Sequence, residues 1–92
     1  MMRAERHAAL VALGQQIRTV RKQRGISQED FAAKAGLGRS YYGGVERGER
    51  NVAALNLMRI AVALEVEVGQ LFPSRQQFRA LIDGAMGTAD GE

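Results

Sequence analysis

Arg39, Ser40 and Tyr41 stand side by side just beyond the run Ser27 to Leu37, in the basic half of the chain. A guanidinium can hold guanine O6 and N7 with two parallel hydrogen bonds, a contact worth about 1–3 kcal/mol of base discrimination. A serine hydroxyl donates or accepts and is a tolerant reader of base edges. A tyrosine suits a thymine methyl or a phosphate. Gln28 opens a predicted helix, where its outward N–H and the positive end of the helix dipole suit a phosphate oxygen. Side chains of these types are able to contact nucleic acid. Each has a plain alternative, a side chain solvated at a helix end, and the same holds more strongly for Arg18 and Lys34.

Catalysis finds no support in the residue set. The sequence has no cysteine, one histidine (His7), and no carboxylate pair beside a base or a metal ligand. Thiol chemistry, disulfides and thiolate metal sites are thereby excluded. No catalytic residue, metal or cofactor is expected. The net charge of +3 is unevenly spread: residues 1–50 carry ten Lys/Arg against five Asp/Glu, and residues 51–92 carry three against five. Neutralising phosphates releases counterions, so the basic half is the half suited to bind DNA. No apolar run approaches the roughly 20 residues of a membrane span. The N-terminus shows neither an apolar segment nor a cleavage site, so a cytoplasmic protein without membrane contact is expected.

The elements that must position these groups read as helices. Strand-like alternation is confined to Leu64–Val68, a stretch too short to favour a strand over a loop. A first helix is predicted over residues 4–24, with Leu10, Leu13, Ile17 and Val20 on one face, His7 solvated, and Gly25 as its stop. A second spans 28–35, capped by Ser27 with Asp30 in the capping-box position, and closed by Gly36. Phe31, Ala32 and Ala35 form its inner face. A third spans 38–46. A fourth runs from Asn51, as N-cap, to about 64, with Leu55, Met58, Ala61 or Val62, and Leu64 as its buried stripe. A short fifth covers 67–72 and ends at Pro73. A weak sixth segment follows at 74–83, and the Gly-, Ala- and acid-rich tail Gly84–Glu92 is expected to be disordered. Two short helices joined by a tight turn in a basic chain are the mark of a DNA reader. The division is a DNA-binding domain at 1–73 and a partly disordered extension at 74–92.

Residues 13–72 resemble the Cro/repressor type of helix-turn-helix regulator. The resemblance is carried by Ile17-Arg18, Arg21, Arg24-Gly25, Ile26-Ser27-Gln28-Glu29, Ala32, Ala35-Gly36-Leu37, Val45-Glu46-Arg47-Gly48, Leu55, Ile60-Ala61, Ala63-Leu64 and Leu71-Phe72. Within that family, Arg39-Ser40-Tyr41-Tyr42, Val45-Glu46-Arg47 and Arg50-Asn51 are similar to the controller proteins of restriction–modification systems. The resemblance implies an all-α, compact five-helix fold of the lambda-repressor type, with the third helix in the major groove. It implies base contacts from Arg39, Ser40, Gly43 and Gly44, with Tyr41 at the groove edge. It implies phosphate contacts from Gln28, Arg47, Arg50 and Asn51, which position without reading sequence. It also implies a buried ion pair between Arg21 and Glu46.

The sequence departs from the family pattern in three places. Gly38 stands where Ser or Thr usually caps the third helix, Tyr42 replaces a β-branched aliphatic, and Gly43 or Gly44 replaces a polar reader. Two glycines inside a short helix cost about 1 kcal/mol each relative to alanine, so a frayed helix or a close backbone approach to DNA is expected. Tyr42 should be buried with its hydroxyl partnered.

The family pairs as two-fold dimers on near-palindromic sites. Val62, Val66, Val68 and Phe78 are the expected dimer surface, with Leu71 and Phe72 read as core. The leading expectation is a homodimeric regulator of transcription that binds double-stranded DNA without a cofactor. The alternative is the antitoxin of a toxin–antitoxin pair, whose extension would bind a toxin protein.

Overall fold

A computed structural model describes residues 7–86 of the chain. Leu13, Ile17 and Val20 do share a buried face, that of α1 (Ala8–Gln23). His7 is not a solvated helix residue. It is the extended N-cap, and its Nδ1 accepts a hydrogen bond from the Ala9 N–H at 3.0 Å. Residues 4–6 of the predicted first helix lie outside the described residues.

Helix α2 (Gln28–Ala35) has the expected ends. The Asp30 N–H donates to the Ser27 hydroxyl at 3.0 Å, and Gly36 closes the helix at φ 73°, a backbone region that glycine enters without steric cost. The chain then turns within three residues into α3 (Arg39–Glu46). Gly38 is the N-cap, one position outside the helix, and offers no side chain to cap it. Despite Gly43 and Gly44, α3 keeps its full eight residues, because Tyr42, Val45 and Glu46 are all buried. Burial of that face outweighs the low propensity of the glycines.

Helix α4 (Ala54–Leu64) corrects two expectations. Its N-cap is Ala53, not Asn51, since Val52 packs against the core from an extended segment and delays the first turn. Its buried stripe is Ile60, Ala61, Ala63 and Leu64, with Leu57 half-buried. Leu55, Met58 and Val62 are instead 58%, 57% and 77% exposed. The reason is that α4 is apolar almost all round, so its spacing fits two faces equally well.

The fifth and sixth segments exchange character. Residues Val68–Leu71 form a 3-10 helix, because Phe72 precedes Pro73 and is held extended. The weak sixth segment is a full helix, α5 (Arg75–Met86). The Gln77 N–H donates to the Ser74 hydroxyl while the Ser74 N–H donates to Gln77 Oε1, a reciprocal cap that anchors its first turn. Residues 84–86, expected in a disordered tail, continue α5; residues 87–92 lie outside the described residues.

Five α-helices and one 3-10 helix make an all-α fold with no strand among the described residues. Tyr42, Phe31, Ile17, Ile60, Leu64, Leu71 and Val45 are the fully buried side chains at its centre. α1 crosses α3, α2 packs on α3 and α4, and α5 folds back on α1. The crossing of α1 and α3 is close enough that a Cβ on Gly14 would stand 2.4 Å from the Val45 carbonyl oxygen. No helix is long and apolar enough to cross a membrane among the described residues.

Candidate nucleic-acid interface

Glu46, the last residue of α3, organises the site from below. Its carboxylate accepts from Arg21 Nε at 2.6 Å, from Arg21 Nη2 at 3.0 Å, from Gln28 Nε2 at 3.0 Å and from the Tyr42 hydroxyl. Arg21 and Glu46 are both buried, and the two-bond geometry is the strong form of this pair. The expected ion pair is therefore present, and it ties α1, α2 and α3 together at one point. Arg21 Nη1 also donates to the Ile26 carbonyl at 2.8 Å, which fixes the chain between α1 and α2.

Burial alone would raise the Glu46 pKa, but the bonds from Arg21, Tyr42 and Gln28 outweigh it and hold the carboxyl below its usual 4.5. Burial first, and the bond to Glu46 second, push the Tyr42 hydroxyl well above its usual 10.0. The two shifts give opposite pH limbs. A carboxyl depressed in the fold contributes stability above its unfolded pKa and loses it on acidification; a phenol raised in the fold contributes stability below pH 10 and loses it above. Stability is expected to fall below about pH 4.5 and again above about pH 10. Tyr42→Phe should remove the alkaline limb and shrink the acid one without abolishing it, since Arg21 and Gln28 still bond Glu46, as read by urea unfolding across pH. An unchanged alkaline limb in Tyr42→Phe would contradict this assignment.

Above this anchor lies the exposed surface. Arg39 and Ser40 are exposed at the start of α3, and Tyr41 is half-buried beside them. Tyr41 is held in place: Asn56 Nδ2 donates to its hydroxyl at 3.2 Å, and the Arg50 guanidinium lies 5.5 Å from its ring centre, within cation–π range. Arg59 in turn donates to Asn56 Oδ1 at 3.0 Å. Gly43 and Gly44 are buried. A Cβ on Gly43 would stand 3.1 Å from Arg47 Nη1, and one on Gly44 3.1 Å from Arg50 Cγ, so these two arginines lie across the glycine pair. Arg47 also pairs with Glu49 at 3.1 Å, and Asn51 is exposed in the extended segment before α4.

Gln28 is half-buried at the start of α2. One of its amide hydrogens is taken by Glu46, which leaves the other for an outside acceptor. Arg39 pairs through Nη2 with Glu29 Oε2 at 2.7 Å, both side chains exposed.

Two residues of this surface escape sequence reasoning. Asn56 is the one side-chain amide in the apolar α4, and that contrast is the signal that could have found it. Glu29 is explained too readily by the dipole of α2, which hides its reach to α3.

The expected dimer residues separate. Val62 lies on the exposed face of α4 with Leu55 and Met58, and Val68 is 42% exposed on the 3-10 helix. Val66 is half-buried against the core, and Phe78 is half-buried with its ring 5.5 Å from that of Phe72. No group of three or more His, Cys, Asp or Glu is disposed to hold a metal among the described residues.

Residues 17–71 match a family model described as Helix-turn-helix. The chain is 38% identical over 63 residues to the control protein C.MunI of a Mycoplasma species, covering 67% of this chain and 85% of that protein. Its fold is similar to the crystal structure of the restriction–modification controller protein C.AhdI from Aeromonas hydrophila. The TM-score is 0.70 and the identity 50%, over 72% of this chain and all of that one. It is also similar to the biofilm master regulator SinR, solved in complex with DNA. There the TM-score is 0.62 and the identity 35%, over 64% of this chain and 95% of that one.

Proposed function

We propose, because this chain belongs to the helix-turn-helix family and closely resembles restriction–modification controller proteins, that it is a transcription regulator that binds near-palindromic duplex DNA as a homodimer. α3 enters the major groove, Arg39 and Ser40 meet base edges at its first turn, and Gln28, Arg47, Arg50 and Asn51 meet flanking phosphates. The observation that carries this reading is the coupling of α2 to α3 through Glu46 beneath the exposed Arg39 and Ser40 at the start of α3. A reader needs its groove-facing side chains exposed and its phosphate anchor rigidly placed against them. The similarity to SinR, solved in complex with DNA, supports DNA binding by this fold.

The arginines resting on Gly43 and Gly44 bear on how the groove is approached. They must swing outward before α3 can seat deeply, and the outward position is the one that reaches phosphates. The glycine pair then leaves a smooth backbone face toward the bases, so local DNA shape shares in recognition with Arg39.

Arg39→Ala is expected to relax one base position, while Arg50→Ala weakens all duplexes about equally and lowers the slope of log K against log salt by about 1. Fluorescence anisotropy with labelled duplexes, titrated with salt, separates the two. Equal effects of both variants on every duplex would contradict the assignment of roles.

One domain buries a small area on DNA, so specific affinity calls for two. The exposed apolar face of α4 is the dimer surface in this proposal, with Leu55, Met58 and Val62 at its centre and Val68 as a neighbour. An apolar face of this kind on a small monomer marks an interaction site. Val62→Glu is expected to give a folded monomer by sedimentation, with operator affinity reduced at least about tenfold. A Val62→Glu chain that remains dimeric would place the interface elsewhere.

A further inference from the structure

We propose that Glu29 is a positioning residue for base recognition: paired with Arg39, it fixes the plane of the guanidinium that reads a guanine, and so sets how sharply that base is discriminated. The inference rests on the reading of α3 as the helix that enters the major groove.

Arg39 is the first residue of α3, where the helix dipole is positive and a cation is disfavoured. α3 itself supplies nothing to offset this. Its N-cap is Gly38, without a side-chain bond, and its first turn contains no acidic residue. The offsetting charge comes from the neighbouring helix. Glu29, in the first turn of α2, forms an ion pair with Arg39, its Oε2 lying 2.7 Å from Nη2, and is the one polar partner of Arg39 among the described residues. The carboxylate is thus favoured by the positive end of its own helix and by the arginine it meets.

Such an exposed pair adds little to stability in water. Its consequence arises on DNA. Docking displaces water, strengthens the attraction between the two charges, and makes an unpaired carboxylate beside phosphates costly. Glu29 is therefore kept on Arg39 rather than released from it. A guanidinium has five N–H donors in a fixed plane. Glu29 meets it at Nη2, and even with one donor given to the carboxylate four remain for the two-bond contact with guanine O6 and N7. Without Glu29, the long side chain swings freely at the start of α3 and meets phosphates as readily as bases.

The test uses the full chain and an operator obtained by selection from random duplex with wild-type protein. Affinities are measured for that operator and for copies in which each guanine is replaced in turn. Glu29→Gln is expected to lower discrimination at one guanine by about fivefold or more, while affinity for random duplex holds or rises because a negative charge has left the docking face. Arg39→Ala should abolish discrimination at the same guanine, and adding Glu29→Gln to it should change nothing further. Unchanged discrimination in Glu29→Gln, with loss in Arg39→Ala, overturns the role of Glu29 alone. An equal loss from Glu29→Gln in both backgrounds overturns it too. If Arg39→Ala leaves every position unchanged, or wild type selects no sequence, the reading of α3 falls and this role with it.

Discussion

Glu46→Gln is expected to cost roughly 3–5 kcal/mol of folding free energy, the penalty of stranding a buried charge. Arg21 is only 6% exposed, and its Nε and Nη2 both donate to this carboxylate. A glutamine supplies one acceptor oxygen and turns an NH2 group toward a guanidinium and a phenol that also need acceptors. Neither Arg21 nor Tyr42 can reach water to compensate. At fixed protein concentration the melting temperature should fall by more than about 12 °C. The acid limb of stability should flatten in the same variant, since the titrating group is gone. An unchanged melting temperature would mean that the Arg21–Glu46 pair is not what joins the three helices.

Gly14→Ala should cost a comparable amount, about 3 kcal/mol, by a different route. The added Cβ would sit 2.4 Å from the Val45 carbonyl oxygen and 2.6 Å from that of Glu46. Both are backbone atoms on α3, so no side-chain rotation relieves the contact, and α1 and α3 must separate. That separation also draws Glu46 from Arg21. The double variant should therefore lose less than the sum of the two single losses. Gly38 makes the contrast: a Cβ there meets nothing within 4 Å, and Gly38→Ser should cap α3 with a gain of about 0.5 kcal/mol or less. Urea unfolding of the three variants checks the order. A Gly14→Ala protein as stable as wild type would contradict the close crossing of α1 and α3.

Particular residues explain why the turn between α2 and α3 was legible in the sequence. Ser27 and Gly36 act through local hydrogen bonds and local backbone freedom, so their effect needs no knowledge of the rest of the fold. The spacing of Leu13, Ile17 and Val20 was equally plain, because polar residues interrupt α1 on its other sides. In α4 only Asn56 and Arg59 interrupt the apolar run, so spacing assigns Leu55 and Met58 to the core while tertiary packing turns them outward. The length of α5 depends on its docking against α1, which no local signal announces. The Arg21–Glu46 pair was legible only through family resemblance, since 25 residues separate its members. Of the candidate site, residue types were readable but contacts were not. Neither the seating of Arg47 and Arg50 over the glycine pair nor the reach of Glu29 to Arg39 follows from spacing.

The central claim is that the coupled α2–α3 unit reads a DNA sequence and that two copies do so together. Binding-site selection on random duplex DNA with the purified chain tests it most directly. The account predicts an enriched near-palindrome with half-sites about one helical turn, roughly 34–36 Å, apart. Enrichment of no sequence, with all duplexes bound alike and released alike by salt, would contradict it.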